Sequence, residues 1–97
     1  MHFCIRCIDK TDAGGLRQQV RPQHLEYLKM LGARIVIGGP MLGADETTPI
    51  GSMLVVEAPD WAAVEQLAAK DPYAVAGLFG EVTITPYRIG FIHPPAA

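Results

Sequence analysis

Apolar residues recur along the first third of this chain with two different periods. From Met1 to Ile8 they alternate: Phe3, Ile5 and Cys7 share one face of an extended segment, and Cys4 and Ile8 fall on the other. The period then lengthens. Between Leu16 and Leu31 a step of about 100° per residue gathers Leu16, Val20, Tyr27, Leu28 and Leu31 on one arc, while Gln18, Gln19, Gln23, Glu26 and Lys29 point elsewhere. The pattern predicts a strand, a turn over 9–15 carrying the Gly14-Gly15 pair, and a helix that stops at Gly32, a good residue just past a helix end. Pro22 lies inside that helix and is expected to kink it, because the apolar arc continues beyond the missing N–H.

Ala33 to Ile37 predicts a second strand, closed by Gly38-Gly39-Pro40, and the polar stretch from Gly43 to Pro49 leads to a third over Gly51–Glu57. So short a connection predicts an antiparallel hairpin. Pro59-Asp60 opens a second helix, with Asp60 as N-cap and Trp61, Val64, Leu67 and Ala68 as its buried stripe. Asp71-Pro72 breaks it, since the residue before a proline is pushed out of the α region. One short turn over 72–77 follows, then a last strand from Phe79 to Arg88 with Val82 and Ile84 facing one way and Glu81, Thr83 and Thr85 the other. Residues 89–97, with Pro94-Pro95, form a tail expected to fray or to dock on a partner.

The order β-α-β-β-α-β predicts an α+β fold of ferredoxin-like plan: a four-stranded antiparallel sheet with two helices on one face, as a single domain over residues 1–97. Ile35 to Ile37 and Met53 to Val56 are apolar at every position, so both of their faces call for burial, and two helices cover only one. A second copy of the chain, sheet against sheet, covers the other. A homodimer is therefore expected.

Composition narrows the partners. Hydrophobic residues make up 49% and charged residues 19% of the chain, with a formal charge of −2. With no cluster of Lys and Arg to follow a phosphate backbone, nucleic acid is not expected as a partner. The longest stretches free of charge, Ile35–Ala44 and Thr47–Val56, are ten residues each, and a membrane span needs about 20. The N-terminus runs straight into a strand without a basic segment ahead of an apolar one, so the expected location is cytoplasmic. Cys4 and Cys7 form a Cys-x-x-Cys within that strand, where their odd separation sends them to opposite faces. Without further ligands they predict neither a metal site nor a redox pair.

Against this background His24 stands out. It falls between Leu31 and Leu28 on the apolar arc, and an imidazole aimed at a core needs a partner for at least one ring nitrogen. Asp71, at the end of the second helix, is the candidate. A carboxylate bonded to one nitrogen fixes the tautomer and leaves the other to trade a proton, an acid/base dyad suited to proton abstraction or elimination. Two structural roles compete with that reading: Asp71 as N-cap of the turn after Pro72, and His24 as a core histidine bonded to a carbonyl. Arg21 either meets an anionic ligand or extends into solvent. Gly38-Gly39-Pro40 is too short, and lacks the Lys, to be a phosphate loop; Gly39 and Pro40 are expected to line the same pocket as Tyr73.

Arg21-Pro22-x-His24-Leu25, Gly39-Pro40 and Asp71-Pro72-Tyr73, at this spacing, resemble the YCII-related family from Met1 to Arg88. The resemblance implies a dimeric α/β barrel fold, akin to that of muconolactone isomerases, with His24 and Asp71 as the suspected catalytic pair. One branch of the family dehydrochlorinates a chlorinated hydroxyhydroquinone. The chain departs from many members in the short segment between His24 and Gly39, which lacks their extra acidic turn. The expectation is a lyase or isomerase that uses no cofactor and acts on a small, aromatic or enolisable anion. A non-catalytic module that binds a small molecule in the same pocket is the alternative.

Overall fold

The computed structural model describes residues 1–93, and the Pro94-Pro95 part of the expected tail lies outside the described residues. Four strands, β1 (His2–Asp9), β2 (Ile35–Leu42), β3 (Pro49–Glu57) and β4 (Phe79–Tyr87), pair antiparallel in the order β2-β3-β1-β4. The helices are α1 (Leu16–Leu31), α2 (Trp61–Ala69) and the single turn α3 (Pro72–Val75). This is the ferredoxin-like α+β plan.

Pleating decides which residues meet the helices. Phe3, Ile5 and Cys7 of β1 stand opposite Val56, Leu54 and Ser52 of β3, and all six are buried. Tyr27, Leu28 and Leu31 of α1 and Val64 and Leu67 of α2 close over that face. The Tyr27 hydroxyl donates to the Leu67 carbonyl at 2.8 Å and ties the helices together. Asp60 caps α2 by accepting from the Ala63 amide. Trp61 departs from the expected buried stripe: it is 44% exposed on the first turn of α2 and meets Phe3 edge-on. Cys4 and Cys7 are free thiols, and Cys7 alone is buried beneath the helices.

The region between α1 and β3 differs most from its sequence pattern. Gly32, at φ +57°, ends α1, but residues 32–34 then form a 3₁₀ turn rather than the start of a strand. β2 begins at Ile35 and runs straight through Gly38-Gly39-Pro40 to Leu42, so this segment is strand and not its closure. Two local facts permit this. β2 is an edge strand, where proline's missing N–H leaves no gap in the sheet. At Gly38 the Leu54 side chain lies where a Cβ would sit, so glycine lets β3 approach. A register shift between Ile35 and Ile37 accompanies the entry into the strand.

On the opposite face Val55 is buried between Cys4 and Ile37 in the paired register, whereas Ile37 and Met53 are 58% and 40% exposed. The apolar run of β2 therefore is not satisfied within one chain. Among the described residues no helix is long and apolar enough to cross a membrane.

Candidate functional site

α1 crosses the sheet with His24 turned inward, 7% exposed, and α3 brings Asp71 to it. His24 Nδ1 lies 2.9 Å from Asp71 Oδ1. The same carboxylate oxygen accepts the Tyr73 amide at 2.9 Å, so Asp71 is both the cap of α3 and the partner of His24. The two roles weighed from sequence coexist. With the carboxylate oxygen acting as acceptor, Nδ1 is the donor, and the neutral imidazole carries its lone pair on Nε2.

Tyr73, 2% exposed, lays its ring against the imidazole, with centroids 4.0 Å apart and planes 18° from parallel. Over the same Tyr73 ring, at 4.7 Å, sits the guanidinium of Arg17. Arg17 is fixed from below. Its Nε and Nη2 donate to the two Asp9 oxygens at 2.7 and 2.8 Å, and Nη2 also donates to Ser52 Oγ at 3.0 Å. A forked pair of this kind sets orientation as well as charge. Burial pushes the Tyr73 hydroxyl's pKa up, and the neighbouring Arg17 cation works against that rise. Burial, reinforced by the Asp71 charge, pushes the Cys7 thiol up to about 12, so it stays protonated near neutral pH and supplies no nucleophile.

These groups border a cavity of about 930 Å³ between α1 and the β2–β3 half of the sheet. His24 and Tyr73 line it with Arg21, Gly39 and Pro40, as does Arg17 with Ser52. Arg21 is exposed on α1 and enters no ion pair among the described residues. Sequence reasoning missed Asp9, Arg17 and Ser52. Signals for two of them were present: Arg17 is seven residues, about two helical turns, before His24 on the same side of α1, and Ser52 alternates with Leu54 and Val56 on the core face of β3. No group of three or more His, Cys, Asp or Glu able to hold a metal exists among the described residues.

A two-layer ferredoxin-like domain with an inward His–Asp pair over an open cavity is the class this chain defines. It belongs to the YCII-related domain family, whose pattern matches residues 1–88. It is 33% identical to protein YciI of Escherichia coli over 95 residues, spanning 91% of this chain and 97% of that protein. An uncharacterised protein of Haemophilus influenzae is 32% identical over the same length. Among solved structures, 5-chloro-2-hydroxyhydroquinone dehydrochlorinase (TftG) from Burkholderia phenoliruptrix AC1100, in complex with 2,5-dihydroxybenzoquinone, superposes with a TM-score of 0.85 at 35% identity, covering 91% of this chain and 94% of that one. An antibiotic biosynthesis monooxygenase, at 12% identity and a TM-score of 0.51 over 87% of this chain and 92% of that one, shares the fold alone.

Proposed function

We propose that this chain is a cofactor-independent enzyme of lyase or isomerase type, in which His24 moves a proton on a small, ring-shaped anionic substrate and Asp71 holds its tautomer. The observation that carries the reading is the 2.9 Å His24–Asp71 contact beside a cavity wide enough for a single ring. Likeness to a dehydrochlorinase over nine-tenths of the chain favours elimination among the reactions such a pair serves. Arg21, at the cavity rim, meets the substrate's negative charge, and Gly39, Pro40 and Tyr73 shape its walls.

For a chlorinated hydroxyhydroquinone the steps balance without an oxidant. His24 Nε2 takes a proton from one ring hydroxyl and returns it to the chlorine-bearing carbon. A second hydroxyl proton then passes to solvent as chloride leaves with the C–Cl electron pair, and a hydroxyquinone remains. The test is chloride release from 5-chloro-2-hydroxyhydroquinone and a panel of substituted catechols, lactones and halogenated hydroquinones. Turnover of one or more above the spontaneous rate is expected; a flat response across the panel contradicts the enzyme reading.

The working unit in this proposal is a homodimer. Ile37 and Met53, exposed on the face away from the helices and flanking Val55, make an apolar surface that a second sheet would cover. Sedimentation at micromolar concentration is expected to give twice the chain mass, and a stable monomer contradicts it.

A further inference from the structure

Around the cavity His24 Nε2 has no hydrogen-bond partner among the described residues, and the Tyr73 hydroxyl, which the Arg17 guanidinium approaches as a donor, has none for its own proton. Among the described residues no sealed side-chain nitrogen or oxygen is left unpaired, so both groups keep some contact with solvent. The residues that carry them line the same cavity. Tyr73 is 2% exposed, so a ligand can meet little more of it than the part the cavity uncovers. Solvent alone is left to pair that hydroxyl's proton, and a ligand with an oxygen acceptor can take the solvent's place.

The surroundings specify what would use it. The Arg17 guanidinium lies over the Tyr73 ring, and its Asp9 and Ser52 partners hold it still while occupying Nε and Nη2. That leaves one nitrogen of the fork directed away from Asp9. A hydroxyl and a guanidinium drawn together in this way, the guanidinium fixed by Asp9 before a ligand arrives, complement a single oxygen bearing negative charge. Arg21, one turn farther along α1 and exposed, also lines the cavity, but no partner among the described residues holds it in place as Asp9 holds Arg17. We infer that Tyr73 and Arg17 form an oxyanion subsite that takes the phenolate or enolate oxygen of the substrate, next to the carbon at which His24 exchanges its proton. The inference rests on the cavity being the substrate site proposed above, and it names the form in which the substrate is bound: ionised at one ring oxygen.

A phenol whose ionised form is coloured tests this without turnover. With 4-nitrophenol as the probe, the bound phenol should ionise at lower pH than the free one, by a tenfold or larger change in its ionisation constant. Tyr73→Phe, which keeps the ring stacked on His24, should remove most of that shift and weaken binding about tenfold. Arg17→Lys should do the same where thermal melting confirms that it folds. His24→Ala should retain the shift although it cannot transfer the proton, which separates this subsite from the catalytic reading. If chlorinated substrates give no turnover but the shift is present and depends on Tyr73, the subsite stands and the lyase reading falls. Failure to bind at millimolar probe, a bound probe that titrates as the free one, or a shift lost in Arg21→Gln and kept in Tyr73→Phe would each overturn the inference.

Discussion

Replacing His24 with Ala is expected to lower turnover by about 10²–10⁴-fold, the usual loss when a proton-transferring group is removed, while the protein stays folded. The reason lies in how little else His24 holds. Its Nδ1 bonds Asp71 and its ring stacks on Tyr73, but Asp71 keeps its bond from the Tyr73 amide when the imidazole is gone. Asp71→Asn should also cost activity, because an amide can present an N–H where the carboxylate accepts, and the Nδ1 donor then loses its fixed partner. It should lower stability by about 1 kcal/mol as the cap of α3 weakens. Rates of chloride release and thermal melts of the three proteins check both statements. A His24→Ala protein with undiminished turnover would remove His24 from the chemistry.

The largest stability effect is expected at Asp9, whose carboxylate holds Arg17 in place. Asp9→Ala should cost about 3 kcal/mol, because it strips the Arg17 guanidinium of both carboxylate oxygens and leaves a largely enclosed cation with Ser52 alone. For a domain of this size that corresponds to a fall of roughly 12–24 °C in Tm. The two side chains are only 12% and 15% exposed, so water does little to compensate. Activity should fall as well, since Arg17 lies over the Tyr73 ring that stacks on His24. A melting curve within 3 °C or so of wild type would mean that the pair behaves like a surface ion pair, worth about 0–1 kcal/mol.

Much of this arrangement was legible along the chain, and the parts that were not share a physical cause. Periodicity located the first and last strands and the two main helices, because each buries one face and its neighbours in sequence reveal which, while unbroken apolar runs located β2 and β3. His24 was legible for the same reason: a titratable side chain on an apolar arc is a local anomaly. Asp71 was legible as a helix break, since Pro72 follows it. By contrast, β2 runs on through Gly38-Gly39-Pro40 because it is an edge strand lying close against Leu54, and neither its edge position nor that closeness is written in its own residues. Trp61 fits a buried stripe by spacing, yet it sits where α2 begins and the sheet ends. The Asp9–Arg17–Ser52 cluster joins three elements and depends on β3 pairing with β1 in one register. No local pattern announces such a cluster; only the assembled sheet does.

The central claim is that His24 presents a basic Nε2 to the cavity because Asp71 holds the proton on Nδ1. Long-range ¹⁵N–¹H correlation spectra of the imidazole, with His24 assigned by comparison with His24→Ala, read that tautomer directly. The neutral ring is expected to carry its proton on Nδ1, and Asp71→Asn to disturb that preference. A neutral His24 protonated on Nε2 in the wild-type protein would contradict the account.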